Sequence, residues 1–131
     1  MGNPEKIDPT LVSDFVGNAH GDFNRVKELL EQNPALLNAV WDWGGGDWET
    51  ALGAASHMGR KDIALFLIEK GARMDIFAAA MLGKVDIVQS ILASFPEARH
   101  SKGPHGISLE LHATAGGAEA AEVLKLLKAL N

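Results

Sequence analysis

Gly21-Asp-Phe-Asn-Arg-Val26-Lys-Glu-Leu29-Leu30, Gly59-Arg-Lys-Asp-Ile-Ala64-Leu-Phe-Leu67-Ile68 and Gly83-Lys-Val-Asp-Ile-Val88-Gln-Ser-Ile91-Leu92 are three versions of one segment. Each carries apolar residues five, eight and nine positions after its glycine, the i, i+3, i+4 stripe of a helix that buries one face. A fourth version is anchored on Ala118, with Val123, Leu126 and Leu127 at the same offsets and Gly116-Gly117 lengthening the turn before it. The anchors at 21, 59, 83 and 118 are 38, 24 and 35 residues apart. A short helical hairpin cannot bury such a stripe by itself, so neighbouring repeats must cover one another. The expected fold is all-α: about four helix-turn-helix repeats near residues 10–37, 48–73, 74–97 and 107–130, forming one domain.

The residues ahead of the anchors also match. Leu52-Gly-Ala-Ala-Ser-His-Met58 and Ile76-Phe-Ala-Ala-Ala-Met-Leu82 read as short helices whose small side chains allow close packing. Thr50-Ala-Leu-Gly-Ala-Ala55 precedes one of them, and Glu69-Lys-Gly-Ala72 closes the following helix with a glycine. On these segments, and on a mean spacing near the ~33-residue period, residues 10–130 resemble the ankyrin-repeat family. Ala51 and Gly53 replace the proline and histidine of the family's Thr-Pro-Leu-His, so hydrogen bonding between adjacent turns must differ here. The chain also resembles a group of small bacterial ankyrin-like proteins, on Asp42-Trp-Gly-Gly-Gly-Asp-Trp-Glu-Thr50, Phe77-Ala-Ala-Ala-Met-Leu-Gly83 and Gly103-Pro-His-Gly-Ile107. This second resemblance speaks to fold and carries no activity with it. The family likeness implies a concave groove lined by the two residues before each anchor. Those are Ala19 and His20, His57 and Met58, Met81 and Leu82, then Thr114 and Ala115.

The connections depart from a regular repeat. Residues 34–49 hold all three tryptophans, Trp41, Trp43 and Trp48, around Gly44-Gly45-Gly46. Consecutive glycines permit positive φ, so a wide hairpin-like finger is expected there. After Gly71 only Ala72-Arg-Met-Asp75 precedes the next helix, leaving no room for a finger. Ser94 to Ile107 reads as an irregular loop. The leading functional expectation is a non-catalytic module binding a protein partner through His20, Trp43, Asp47, Trp48, Glu49, His57, Met58, Met81 and Leu82. Methionine and tryptophan adapt well to partner surfaces. The alternative is a small-molecule or metal-assisted, hydrolytic pocket between finger and 103–107 loop, using Asp42, Asp47, His57, His105 and His112. A third reading buries the apolar strip against a second copy of the chain.

Other chemistry is excluded by what is missing. His100, His105 and His112 follow no metal-ligand spacing, and there is no His-Glu-x-x-His motif and no cysteine, so neither a metal site nor a cofactor is expected. Asp42, Asp47, Glu49 and His57 are expected to hold the glycine loop by hydrogen bonds. The glycines lack the Lys-Ser/Thr of a phosphate loop, and the adjacent acids repel anions. No Gly-x-Ser-x-Gly is present. A net charge of −5 without a basic run argues against nucleic acid. Met1 to Lys6 shows no signal-peptide pattern, and Lys6 stands where an acylated Gly2 would need Ser or Thr. No apolar run nears the roughly 18 residues of a membrane span, so a cytoplasmic protein is expected.

Overall fold

A computed structural model describes residues 4–131; Met1 to Asn3, including Gly2, lie outside the described residues. The chain is mainly helical, with four helix pairs and one small sheet. The pairs are α1 (Pro9–Asn18) with α2 (Phe23–Gln32), α3 (Ala51–His57) with α4 (Lys61–Glu69), α5 (Ile76–Met81) with α6 (Val85–Ser94), and α7 (Leu109–Ala115) with α8 (Ala121–Ala129). Between the first two pairs, β1 (Val40–Asp42) and β2 (Trp48–Thr50) form an antiparallel hairpin in the register Val40–Thr50, Trp41–Glu49, Asp42–Trp48. This is the expected finger. Short 3-10 turns occupy Pro34–Leu36, Pro96–His100, Pro104–Gly106 and Gly117–Ala120. No helix among the described residues is long and apolar enough to cross a membrane.

Local sequence explains where the first helix of each pair starts and how three of the pairs turn. The first helix of every pair begins after a capping side chain: Asp8, Thr50, Asp75 and Ser108 accept from the backbone N–H of Thr10, Gly53, Ala78 and Leu111. Such a cap contributes about 1 kcal/mol by satisfying a donor that the helix cannot. Three pairs turn through a glycine at positive φ, Gly59 at 66°, Gly83 at 74° and Gly117 at 65°. In the last pair that glycine lies one residue before the expected anchor, Ala118.

The stripe points inward as its spacing predicts. Val26, Ala64, Val88 and Val123, all at the fifth offset, are fully buried. Leu29 and Leu30 join them in the first pair, whereas Ile91 and Leu92 are only partly covered. Two apolar clusters result, one built on α1 to α4 and one on α6 to α8, with α5 shared between them. Ala78, Met81 and Leu82 enter the first cluster, and Ile76, Ala79 and Ala80 the second.

This sharing corrects one expectation. Met81 and Leu82 are core residues, 0% and 9% exposed, not part of a groove. A helix apolar on every side belongs in the interior, and α5 packs against both α3 and α7. The backbone of Gly116 lies so close that a Cβ there would sit 2.1 Å from the Met81 carbonyl oxygen.

Gly83 tests how tightly the pairs approach. It combines positive φ with a site where a Cβ would fall 2.1 Å from the Glu119 carbonyl oxygen, while Gly106 has positive φ but open space. Left-handed backbone alone costs a non-glycine residue about 1–2 kcal/mol. In chemical denaturation, Gly83→Ala is therefore expected to lose clearly more stability than Gly106→Ala. Equal losses would mean the close approach is unimportant.

Candidate metal centre

The finger is shaped by one carboxylate and three glycines. Asp42 Oδ1 accepts from the backbone N–H of Gly44 (2.8 Å), Gly46 (3.0 Å) and Asp47 (2.9 Å). Gly44, Gly45 and Gly46 all adopt positive φ, which side chains disfavour. Strand alternation then fixes what the finger presents. Trp48 turns outward and is 59% exposed, whereas the neighbouring Glu49 is 1% exposed. Glu49 thus enters the protein from the middle of β2 as an acidic side chain with almost no access to water.

Three imidazoles meet it there. His20 follows α1, His57 is the last residue of α3, and His105 lies in the Pro104–Gly106 turn. Glu49 Oε1 lies 3.1 Å from His20 Nε2, and Glu49 Oε2 lies 3.0 Å from His57 Nε2 and 3.3 Å from His105 Nε2. One ligand atom from each of these four residues can be chosen so that all lie within 4.8 Å of one another. Four donors about 2.1 Å from a tetrahedral ion stand about 3.4 Å apart, so the four residues are near enough to share an ion once the wider donor separations draw in. Glu49 Oε2 and His57 Nε2 are buried and neither forms a hydrogen bond, despite their proximity.

The outer contacts decide which ring nitrogen carries a proton. His20 Nδ1 donates to the carbonyl oxygens of Gly17 (2.9 Å) and Val16 (3.1 Å). His105 Nδ1 donates to Asp47 Oδ2 at 2.7 Å. In the neutral rings this leaves both Nε2 lone pairs directed at the carboxylate. A histidine held by a carbonyl or carboxylate on its far nitrogen is the usual support of a metal ligand. Trp43 Nε1 donates to Glu49 Oε1 at 2.9 Å, fixing the remaining carboxylate oxygen. Lone pairs facing a carboxylate require a positive charge between them, supplied by protons or by a cation. Without metal the balance falls on protons. Burial opposes ionisation of Glu49, but close contacts with His20, His57 and Trp43 outweigh it and hold the carboxyl at about 2. The same hydrogen bond to Glu49 raises His20 above the usual imidazole value, against the opposing effect of burial.

The residues singled out in sequence therefore divide. His20, Glu49 and His57 from the expected strip and His105 from the alternative pocket form one cluster, with Trp43 and Asp47 as their supports. The expectation of no metal site rested on linear spacing and did not foresee that these four residues converge. Trp48 and Met58 are exposed, at 59% and 50%. Asp42 is committed to the glycine loop, as expected. His112 is fully buried, its ring 4.9 Å from Phe77 and its Nδ1 donating to the Ser108 carbonyl oxygen at 2.7 Å, so it lines no open pocket. A hollow of about 300 Å³ does lie between finger and loop, lined by Gly46, Asp47, Trp48, Lys102, Gly103 and Pro104 among others. His105, His112 and Asp42 do not line it.

The pH dependence of the metal-free chain has a defined sign. Glu49 is depressed from 4.5 to about 2, so its contribution is complete above about pH 4.5 and fades as pH falls toward 2. That contribution is on the order of 3 kcal/mol. His20 is raised, so its contribution is complete below about pH 6.5 and fades as pH rises through the higher folded value. Glu49→Gln should flatten both limbs of a stability–pH profile measured with chelator present. An unchanged acid limb would show that the buried carboxylate is not what the imidazoles stabilise.

The chain matches no protein-family model, and no curated protein matches it in sequence, so the chemistry of this cluster rests on its own geometry.

Proposed function

We propose that this chain is a metal-binding module, an ankyrin-like stack in which the ends of α1 and α3, the finger and the 104–106 turn together hold one divalent transition-metal ion. The observation that carries this reading is the convergence of His20, His57 and His105 on the buried carboxylate of Glu49, whose Oε2 lies 3.0 Å from His57 Nε2. A set of three imidazoles and one carboxylate suits zinc, iron, nickel or copper better than calcium or magnesium, which prefer oxygen ligands. The supports of His20, His105 and Glu49 add the outer hydrogen bonds that orient metal ligands. The site faces solvent on one side, where the side chains of His20 and His105 are 26% and 33% exposed, against 9% and 0% for His57 and Glu49.

Binding is favoured over hydrolysis because the nearby carboxylates are engaged. Glu49 contacts the imidazoles, Asp47 accepts from His105 and Asp42 from the loop amides. None of the three stands free at the open side to act as a general base.

A protein partner remains the second reading, favoured by the exposure of Trp48 and Met58, which adjoin Glu49 and His57 in sequence. A folded Trp48→Ala, Met58→Ala double variant that captures partners undiminished in a pull-down removes that reading.

The metal reading predicts 1:1 binding of Zn²⁺ by chelator-treated protein in calorimetry. A bound Co²⁺ probe should show a ligand-field spectrum of nitrogen and oxygen coordination. His57→Ala should weaken binding by at least about 100-fold, since it removes a ligand rather than a support. His100→Ala, remote from the cluster, should leave binding unchanged. No stoichiometric binding of Zn²⁺ or Co²⁺ would end the proposal.

A further inference from the structure

The Pro104–Gly106 turn is attached to the rest of the chain in an unusual way. Its internal hydrogen bonds run from Gly103 N–H to the Ile107 carbonyl, from Gly106 N–H to Gly103 and from Ile107 N–H to Pro104. Among the described residues, the hydrogen bonds that leave residues 103–107 all end on Asp47. The His105 backbone N–H donates to Oδ1 and its ring Nδ1 to Oδ2, each at 2.7 Å. The other polar tie is His105 Nε2 against Glu49 Oε2 at 3.3 Å. His105 also holds φ at 62°, in the left-handed region that non-glycine residues rarely occupy. Strained backbone persists where surrounding contacts over-determine it. Here those contacts are one carboxylate 58 residues distant in sequence and the cluster itself.

The remaining attachment is by packing, with the His105 ring edge-on to His57 at 5.1 Å between centroids. Pro104 lies against Gly53, where a Cβ would be 3.4 Å from Pro104 Cγ, and Gly103 lies against His112 and Phe77. His105 and Gly106 are exposed. A segment with few buried contacts and few hydrogen bonds to its surroundings opens more readily than the core. The other three donors differ, because they sit at the ends of α1 and α3 and within a paired strand.

We infer that the 103–107 turn is a latch coupled to the metal: His105 is the one ligand carried outside the helix ends and the paired strand, so metal occupancy and latch closure are linked equilibria. This rests on the metal reading and adds its regulation. Asp47 is a positioning residue for the latch, setting the ring tautomer with one oxygen and holding the backbone with the other. Coupling of this kind is reciprocal. Metal closes the latch, and anything that pulls the latch away weakens metal binding. Because Asp47, Gly103 and Pro104 also wall the 300 Å³ hollow beside Trp48, latch movement changes the shape of that surface as the metal binds or leaves.

The His105 amide is a direct reporter, since its proton lies in the bond to Asp47. Amide exchange followed by NMR on the full chain, chelated and then with one equivalent of Zn²⁺, should slow at His105 by about 10-fold or more. Amides within α2 should not change. Asp47→Asn should retain the helical circular dichroism, weaken Zn²⁺ binding about 10–100-fold and speed turn exchange in the metal-free chain. Stoichiometric Zn²⁺ binding with unchanged exchange at His105, or an Asp47→Asn variant with wild-type affinity, overturns the latch while leaving the metal site standing. Failure to bind Zn²⁺ at all removes the metal reading and the latch with it.

Discussion

A carboxylate with almost no access to water is costly unless positive charge and hydrogen-bond donors surround it. Glu49 is such a group, and much of the site's construction serves it. The finger points it inward, Trp43 donates to one oxygen, and three imidazoles approach from three separate segments. Removing any partner leaves charge behind that solvent cannot easily reach. The arrangement therefore resists loss of its parts while placing few constraints on residues farther away. A hydrophobic replacement at this position would pack more simply. Retaining a carboxylate amid imidazoles is sensible where a cation is to be held.

The fold was legible because its determinants are local and periodic. The stripe after each glycine, the Asp, Thr and Ser caps and the glycine finger each act within a few residues, and each appears where its chemistry requires. The site was legible only in pieces. His20, Glu49, His57 and His105 all stood out individually, but they share no spacing, since the cluster is assembled from four segments. The pairing of Asp47 with His105 spans 58 residues and leaves no linear mark.

Two side-chain directions were, in contrast, decidable from local periodicity, helical on α7 and alternating in β2. Leu109, His112 and Ala113 stand at i, i+3 and i+4 on α7 and are all buried, so His112 belongs to the core stripe. In β2, alternation opposes Glu49 to Trp48 and Thr50 and pairs it with Trp41 across the hairpin. An outward Trp48 therefore entails an inward Glu49. Met81 is the harder case. Its burial follows from α5 being apolar on every side and so serving both apolar clusters, which the groove analogy overrode.

That division of the core gives the site a structural consequence beyond ligand binding. His20, Glu49 and His57 are carried by elements around the first apolar cluster, while His105 comes from the connection between α6 and α7, whose residues build the second. Apolar packing between the clusters runs largely through α5, whose contact residues are mostly alanines. Small side chains bring backbones close but contribute little area each, and burial energy scales with area. A metal ion joining the two sides adds free energy by mass action, about 2.7 kcal/mol when its concentration is 100 times its Kd. That is a large fraction of the stability of a domain this size. In the metal reading the ion would tie the 104–106 turn to the finger and to the ends of α1 and α3, so its occupancy would add to how firmly the segments flanking the two clusters are held together.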